Sequence, residues 1–426
     1  MCHVYEFCTQ LAMLCTRPEF LLALIVPSVA LCLWRRRRKV LRPAFHCAAD
    51  VRIADLERLI ATPTRASDFP LAAEVVKQVV IFERDTLLGC ASAEQVLADV
   101  LLKGSGVFVI RGAYASPEEL ATVDAVTAAF DAIIAEEQAI ATAADAGARG
   151  DHFAPAGANS RIWNALEKLA VAAPDAFVHY YSNPALALAC RAWLGPNYQL
   201  TSQVNVVRPG GKAQECHRDF HLGFQTDSDA ARYPAHAHEM LVPMLTLQGA
   251  VAHVAMPVES GPTRLLPHSQ KFKAGYVAWR RDDVKALFDA HAVSLPLQKG
   301  DTLFFNPALM HAAGANSSAS IQRMANLLQI SSAFGRAMES IDRQRIVCAI
   351  YPALLRAALD EDQTAHAIAA CAEGYPFPTN LDRDQPLDGL APPSQAKVLA
   401  RAVREGWEEP RLFQSLEIHA QRHRSN

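Results

Sequence analysis

The alternation of hydrophobic and polar positions divides this chain of 426 residues into a helical beginning, a β-rich middle and a helical end. Residues 46–100 have the pattern of short helices, and residues 106–112, GVFVIRG, alternate as a β-strand does. A helix start follows, with Ser116 as N-cap, Pro117 behind it and Glu119 placed to complete a capping box. Apolar residues then recur at helical spacing, so we expect a strand and a long helix before the β-rich part.

The β-rich part begins near Tyr198 and ends near Ala333. A Gly/Ala/Pro loop over 146–160 and a helical pair over 161–195 precede it. Short strands separated by turn residues indicate a sandwich or barrel, and the jelly roll is the kind that places a metal in its mouth. We therefore predict a mainly β fold with flanking helices around a double-stranded β-helix core.

The pattern predicts four regions along the chain. They are an apolar N-terminal segment with a basic cluster (1–45), a helical lead-in (46–95), a jelly-roll domain (96–337) and a helical C-terminal extension (338–426).

The N-terminal segment has the composition of a membrane anchor. Residues 20–34, FLLALIVPSVALCLW, carry no charge, and the basic run RRRRK follows at 35–39. The apolar run is shorter than the ~20 residues that span a bilayer, although basic side chains can reach the interface and reduce the deficit. The charge follows the apolar run, unlike in a cleavable signal peptide. We predict membrane association through residues 20–39, with the part of the chain that follows them in the cytoplasm. A disordered leader and another targeting segment are the alternatives.

Composition narrows the choice of function. Hydrophobic residues make up 51% of the chain, which is typical of a globular protein, and a net charge of -3 argues against a nucleic-acid partner. The ten cysteines form no CxxC pair, so a zinc ribbon or dithiol motif is unsupported. Scattered cysteines are typical of reduced thiols in a cytosol-like compartment.

The candidate chemistry lies in His217 and Asp219 of the run CHRDFH, with His311 of FFNPALMHAAG. Two histidines and one carboxylate suit Fe(II) and leave three coordination positions open. If the first run is a strand, His217 and Asp219 point to one face. His311 would end the strand TLFFNPALMH, and a turn would return Arg323 beside the site. An HxD pair alone is a weak signal, and the distal His and Arg make it specific.

Arg323 is predicted to hold a dicarboxylate. Its planar guanidinium binds a carboxylate through two parallel hydrogen bonds, which a lysine cannot do. On an apolar strand an unpaired Arg would be costly to bury, so a ligand would supply the opposite charge. An ion pair with an internal Asp or Glu is the alternative.

The runs QVNVVRPGG, HRDFHLGF, ESGPTRLLPHSQK, KGDTLFFNPALMHAAGANSS and QRMANLLQIS resemble the phytanoyl-CoA dioxygenase family over about residues 100 to 335. The resemblance implies a non-haem Fe(II) enzyme that uses 2-oxoglutarate and O2 and releases succinate and CO2. It also implies Gln214 as a donor to the cosubstrate and Thr263 near the metal mouth. Asn205, on the preceding strand, is a weaker candidate, and a side chain that ties down a turn is the alternative for it. Related halogenating enzymes lack the carboxylate, so Asp219 favours hydroxylation or desaturation.

The chain departs from the family pattern at two places. PHSQ stands where many members have PGSH, so His268 replaces a glycine and Gln270 a histidine. Ala313 stands where many members have a hydroxyl residue two positions after the distal histidine. The first departure concerns the conformation of a loop and not the metal. At the second, one hydrogen bond to the cosubstrate is either missing or supplied by another residue.

Several other residues near the motif call for an interpretation. His236 and His238 belong to a run HAHE that we interpret as a solvated loop, and His253 is a further nearby histidine. His221 would face the same side as His217 and line a substrate cavity. Cys216 is interpreted as a packing residue. We expect Phe224 and Trp279 to supply apolar walls.

Two rival functions remain open at this stage. A catalytically silent jelly-roll protein could bind or sense a ligand, and a zinc-dependent enzyme could use the same fold without needing Arg323. The leading hypothesis is a dioxygenase that hydroxylates an unactivated C–H bond of a small-molecule or lipid-like substrate. The pattern selects neither a substrate nor an oligomeric state.

Overall fold

The computed structural model describes residues 44–143, 159–387 and 389–425. Its strands in chain order are β1 (Ala72–Val76), β2 (Val79–Glu83), β3 (Val107–Arg111), β4 (Asn159–Ile162), β5 (Gln199–Val207), β6 (Thr246–Ala252), β7 (Arg264–Leu265), β8 (Thr302–Phe305), β9 (His311–Ala312) and β10 (Arg323–Ser331). Within the described ranges they form an eight-stranded sheet of order β1-β2-β3-β8-β6-β10-β5-β4 and a two-stranded sheet of β7 and β9. Strands β2 and β3 run parallel, and the other paired neighbours run antiparallel.

Helices flank the large sheet. In chain order they are α1 (Ile53–Ile60), α2 (Arg84–Leu88), α3 (Ala93–Leu102), α4 (Pro117–Ala143), α5 (Ala165–Ala172), α6 (Pro174–Tyr181), α7 (Pro184–Leu194), α8 (Asp227–Ala230), α9 (Val242–Leu245), α10 (Asp282–His291), α11 (Arg343–Arg356), α12 (Glu361–Cys371), α13 (Gln395–Glu405) and α14 (Glu409–His423). Short 3-10 turns and a π-helical turn, Ala237–Leu241, lie between them.

The large sheet is buried on both faces, as β3 illustrates. Phe108 and Ile110 belong to the large core cluster, which also contains side chains of α4 to α7 and of the C-terminal helices α11 to α14. Val107 and Val109 belong to a second cluster with Leu303 of β8. Successive side chains of a strand point to opposite faces. The helices therefore cover the outer face, and the inner face encloses the jelly-roll interior.

The predicted jelly-roll core with flanking helices is confirmed. The strand over 106–112 forms as β3, and α4 begins with the predicted capping box. The Ser116 hydroxyl accepts from the Glu119 amide at 3.2 Å, and the Glu119 carboxylate accepts from the Ser116 amide at 2.9 Å. The helical segment over 161–195 contains three helices where a pair was expected, and β4 precedes them.

The prediction of helices alone over residues 46–100 is wrong. Strands β1 and β2 form an antiparallel hairpin there, and β2 joins the large sheet beside β3. Lys77 and Gln78 form the turn with φ values of 49° and 71°. Such turns usually carry Asn or Gly, so this one lacked its usual sequence signal. The four-region division of the chain remains a prediction.

None of the helices in the described ranges has the length and hydrophobicity needed to cross a bilayer. Residues 20–39, for which membrane association was predicted, lie outside these ranges. The loop expected over 146–160 also lies outside them, except that its last two residues begin β4.

Candidate metal centre

A single backbone bridge brings the predicted metal ligands together. His217 and His311 form an isolated antiparallel bridge in which each amide donates to the other residue's carbonyl at 3.0 Å. His311 opens β9, and Asp219 follows His217 by two residues. The expected strand around His217 and Asp219 is wrong, because the segment is irregular apart from this bridge. The strand expected to reach His311 ends at Phe305 instead.

The three side chains converge on one point. Asp219 Oδ1 lies 3.6 Å from His217 Nε2, and Asp219 Oδ2 lies 3.4 Å from His311 Nε2. One ligand atom from each residue can be chosen so that all lie within 4.8 Å of one another, and no other group of three or more potential metal-binding side chains in the described residues is as close. The spacing is that of donors around a single ion.

Backbone carbonyls orient both imidazole rings. His217 Nδ1 lies 2.8 Å from the Glu215 carbonyl, and His311 Nδ1 lies 3.0 Å from the Leu309 carbonyl. A carbonyl only accepts, so each Nδ1 carries the hydrogen and each Nε2 presents its lone pair to the centre. Such backbone contacts fix the ring orientation of metal-binding histidines.

Electrostatics favour the metal-binding protonation states. Burial lowers the pKa of His217, although Asp219 opposes this. Burial alone would raise the pKa of Asp219, but His217, His311 and a hydrogen bond from Gln248 outweigh it and hold the pKa well below its usual range. At neutral pH the site therefore offers a neutral His217 imidazole and an ionised Asp219 carboxylate. The mixed nitrogen and oxygen donor set fits Fe(II).

A cavity of about 490 Å³ opens onto the centre and is lined by all seven residues predicted for the site. They are His217, Asp219, His311, Arg323, Gln214, Asn205 and Thr263. Phe224 and Trp279 also line the cavity, as expected. Part of its lining is apolar and consists of Met256, Leu295, Leu297, Leu303, Phe305 and Leu327. The volume is within the usual range for small-molecule sites.

Arg323 opens β10 on the large sheet and lines the same cavity as His311, which opens β9 on the small sheet. It is only 5% exposed and forms no ion pair with any carboxylate in the described ranges. Its guanidinium donates to Asn205 Oδ1 at 3.3 Å and to the Gly261 carbonyl, while its Nε is buried without a partner. Burial lowers the pKa of Arg323 to about 10, which leaves it charged at neutral pH. A buried cation without a counter-charge is costly, so a ligand carboxylate fits here.

Gln214 packs against the segment that follows His311. Its side-chain oxygen accepts from the backbone N–H of Ala313 at 3.1 Å. The backbone N–H of Gln214 in turn donates to the Ala313 carbonyl at 2.9 Å. Asn205 lies within β5 and does not tie down a turn. Thr263 lies just before β7. These three residues surround the cavity near Arg323 and the metal trio.

Two interpretations of the additional histidines need correction. The HAHE run is not a solvated loop: it enters the π-helical turn, where His238 is buried and bonds the Ala230 carbonyl through Nε2 at 2.9 Å. His221 does not line the cavity and packs edge-on against Phe220. His253 lies away from the metal centre, in a buried contact with Tyr180 at 2.9 Å. The interpretation of Cys216 as a packing residue agrees with its 4% exposure.

The loop that departs from the family pattern is held by its unusual residues. His268 adopts a left-handed conformation, with φ of 68°, and its Nε2 lies 2.8 Å from the Thr64 hydroxyl. Gln270 donates to the Gly104 carbonyl at 3.0 Å. The loop therefore has its own anchors in place of the usual Gly and His.

Two buried residues at the site were missed from the sequence. Gln248 of β6 donates to Asp219 Oδ2 at 2.5 Å. Arg218, between two of the metal ligands, donates to the carbonyls of Ser269 and Phe272 and lies over the Tyr276 ring. A polar residue within the apolar strand TLQGAVA was the available signal for Gln248. That Gln248 bonds Asp219 depends on tertiary packing, so the local sequence could not predict it.

Similar folds occur among solved structures of enzymes of nogalamycin biosynthesis. The non-heme alpha ketoglutarate dependent epimerase SnoN is 18% identical over 57% of this chain and 85% of that chain, with a TM-score of 0.36. SnoN in complex with Fe3+, alpha ketoglutarate and nogalamycin RO is 18% identical over the same shares, with a TM-score of 0.37. The non-heme alpha ketoglutarate dependent carbocyclase SnoK is 21% identical over 55% of this chain and 83% of that chain, with a TM-score of 0.38.

No curated protein sequence matches the chain significantly. The family model described as Phytanoyl-CoA dioxygenase (PhyH) matches residues 102–325, more than half of the chain, and this range contains all seven predicted site residues. The chain therefore belongs to the phytanoyl-CoA dioxygenase family and is an oxygenase-type enzyme that depends on Fe(II) and 2-oxoglutarate.

Proposed function

We propose that this enzyme hydroxylates an unactivated C–H bond of a small-molecule or lipid-like substrate. His217, Asp219 and His311 would hold Fe(II), and Arg323 would hold the distal carboxylate of 2-oxoglutarate. One observation carries the proposal: three converging metal donors share a cavity with a buried arginine that has no carboxylate partner in the described ranges. Together they match a metal and a dicarboxylate in one site.

Fe(II) with 2-oxoglutarate and O2 supplies the oxidising chemistry, in which 2-oxoglutarate becomes succinate and CO2 while one oxygen atom enters the substrate. The protein's own part is orientation and exclusion of water. The carbonyls of Glu215 and Leu309 set the two imidazoles, and Arg323 with Asn205 sets the cosubstrate. The presence of Asp219 favours hydroxylation or desaturation over halogen transfer.

The cavity supports an apolar portion of the substrate beside the metal. The apolar part of its lining consists of aliphatic and aromatic side chains, among them Met256, Leu297 and Phe305. Such a wall gives no hydrogen bonds to a substrate and stabilises it by burying apolar surface. An unactivated C–H bond held there is the group that this chemistry would attack.

The two rival functions explain less of the site. A silent binding protein would not need three converging metal donors, and the family match identifies an enzyme. A zinc-dependent hydrolase would bind the same trio but has no use for a buried cation at Arg323. We therefore keep the dioxygenase as the proposed activity.

We also propose that residues 20–39 associate with a membrane and that the catalytic domain faces the cytoplasm. The support is the uncharged run followed at once by five basic residues. Basic clusters of this kind bind anionic leaflets with about 1 kcal/mol per charge.

The test of the activity uses purified enzyme, Fe(II), 2-oxoglutarate and isotopically labelled O2, incubated with a fractionated small-molecule extract. Hydroxylation predicts a product that gains one labelled oxygen, together with succinate. His311→Ala should give neither. Substrate products that lose two hydrogens and gain no label would instead identify a desaturase, and absence of succinate from every fraction would contradict the proposal.

A further inference from the structure

Gln248 donates a hydrogen bond to Asp219, the predicted carboxylate ligand of the metal. Gln248 was not among the site residues predicted from the sequence. Gln248 lies in the middle of β6, is 2% exposed, and sits opposite Gln329 of β10 in the register of the large sheet. Its Nε2 donates to Asp219 Oδ2 at 2.5 Å and to Gln329 Oε1 at 3.3 Å. Both amide hydrogens therefore have acceptors, one of which is a predicted metal ligand.

The orientation of the Gln248 amide is visible in its contacts. Its Nε2, and not its carbonyl oxygen, faces Asp219 Oδ2, and a carboxylate that binds a metal offers only acceptors to such a donor. A reversed amide would place two acceptors 2.5 Å apart. Gln329 Oε1 accepts the second hydrogen and restrains the plane of the amide. Because Gln248 and Gln329 lie on hydrogen-bonded strands, the sheet itself holds the donor in place.

The restraint acts on the rotation of the Asp219 carboxylate. Asp219 Oδ2 is the oxygen bonded by Gln248, while Oδ1 is the oxygen nearer to His217 Nε2. When a fixed donor holds one oxygen of a carboxylate, the carboxylate is less able to bind an ion through both oxygens. Two-oxygen binding would occupy one of the three positions that 2-oxoglutarate and O2 need.

We propose that Gln248 is a positioning residue that restricts Asp219 to binding metal through one oxygen and thereby keeps the open positions free. This inference rests on the proposed metal site. It assigns a function to a residue in the large sheet, whereas the metal ligands themselves lie outside that sheet. Gln329 supports the role by holding the second amide hydrogen.

The test compares Gln248→Met, Gln248→Asn and Gln203→Met with the unaltered enzyme. Met removes the amide at similar length, and Asn keeps an amide that is one methylene too short to reach Asp219. Gln203→Met is the matched control, because Gln203 is also a buried glutamine in the cavity lining but bonds Arg161 and Met338. Thermal unfolding of the metal-free proteins identifies any variant that fails to fold.

Two measurements are made without turnover: the affinity for Mn(II) by electron paramagnetic resonance, and the visible absorption of the Co(II) complex. Loss of a group that orients a metal ligand typically weakens metal binding by about 10- to 100-fold. We expect that loss in both Gln248 variants, together with shifted Co(II) bands, and neither change in Gln203→Met. The shorter Asn should not rescue the site.

The outcomes separate this inference from the proposed function. If the unaltered enzyme binds neither ion, the metal site itself is wrong. If it binds both ions and the folded Gln248 variants match it in affinity and Co(II) spectrum, the positioning role is wrong and the metal site stands. A purely structural role for Gln248 would lower the thermal unfolding temperature without changing the spectrum, and that result also overturns the inference.

Discussion

At the scale of single residues, the chemistry of the site depends on which atoms face the cavity. Both histidines present Nε2 because their Nδ1 atoms donate to carbonyls two residues earlier in the chain. Arg323 presents a charged group because burial lowers its pKa only to about 10. These local contacts give the three side chains and the arginine the orientation and charge that the proposed metal and dicarboxylate require.

Replacing Arg323 tests the cosubstrate half of the site. Arg323→Ala should raise the apparent KM for 2-oxoglutarate some tens- to thousands-fold, since losing a buried charge-assisted contact costs about 2–5 kcal/mol. Fe(II) affinity should change little. Arg323→Lys should give a KM between those of the unaltered enzyme and Arg323→Ala, because lysine keeps the charge but lacks the two parallel donors of the guanidinium. Arg208→Ala is the control, as Arg208 lies just after β5 and does not line the cavity. An unchanged KM in Arg323→Ala would mean that another residue holds the carboxylate.

The grouping of His217, Asp219, His311 and Arg323 around one cavity could be predicted from residue types and their order along the chain. Gln248 could not, because its bond to Asp219 joins residues 29 positions apart in segments that do not pair as strands. Likewise, nothing local indicated that His221 would turn away from the cavity. The chain turns sharply at Phe220, with φ of 31°, so the expected alternation ends there.

At the scale of elements, Arg218 anchors the irregular segment around His217 to the loop that contains Ser269 and Phe272. The Arg218 guanidinium is fully buried and bonds the carbonyls of Ser269 and Phe272. An ideal Cβ at Gly275 would lie 1.9 Å from Arg218 Cζ. The anchor therefore requires glycine at position 275.

Gly275→Ala should destabilise the protein by about 1–3 kcal/mol, the usual cost of overpacking. It should also weaken metal binding, because displacing Arg218 moves the two ligands on either side of it. Gly389→Ala is the control, since a Cβ there meets nothing within 4 Å. Urea unfolding and Mn(II) affinity measure the two effects. If Gly275→Ala and Gly389→Ala have the same free energy of unfolding, the predicted clash with Arg218 is wrong.

The elements that sequence reasoning predicted well had strong local signals, as the capping box of α4 illustrates. The hairpin of β1 and β2 was missed because its turn has Lys77 and Gln78 in place of Asn or Gly. The strands next to the metal were overextended because β8 stops at Phe305, ahead of Asn306 and Pro307. Proline interrupts strand pairing, so this break did carry a signal.

At the scale of the whole molecule, the order of the large sheet places distant parts of the chain side by side. Strand β10 lies between β6 and β5, so Arg323 and Gln329 face residues from more than 70 positions earlier. Local patterning indicated a sandwich or barrel with short strands, but it does not determine such a strand order. The C-terminal helices α11 to α14 then complete the outer core.

The buried His253 should make stability depend on pH. Thr127 donates to the Val123 carbonyl, so it accepts from His253 Nδ1, and Nε2 accepts from the Tyr180 hydroxyl. Burial lowers the pKa of His253 from 6.5 to about 3, because the neutral form is the one that packs. Its contribution is complete above pH 6.5 and is lost as pH falls towards 3.

The loss should amount to about 1.4 kcal/mol per pH unit below 6.5 for this residue. In His253→Gln the free energy of unfolding, measured by urea titration, should therefore fall less steeply between pH 6.5 and pH 4.5. Both proteins share every other titrating group, so the difference in slope isolates His253. Parallel slopes would contradict the assignment of a neutral buried imidazole.

Deleting residues 1–44 tests the proposed membrane association. Residues 45–426 form one compact unit and contain the whole candidate site, so the shortened protein should be soluble and active. The full-length protein should sediment with membranes and require detergent. A full-length protein that is soluble without detergent would contradict the proposal, as would protection of the catalytic domain from protease on the cytoplasmic side of oriented vesicles.

The most direct test of the central claim is an anaerobic titration of the purified enzyme with Fe(II) and then 2-oxoglutarate, followed by visible absorption. Chelation of the keto acid by protein-bound Fe(II) produces a weak charge-transfer band. We predict this band in the unaltered enzyme and its loss in His217→Ala and His311→Ala, with the fold of both variants intact by circular dichroism. If no band forms at saturating Fe(II) and 2-oxoglutarate, or if it persists at full strength in both variants, the account of this metal centre is wrong.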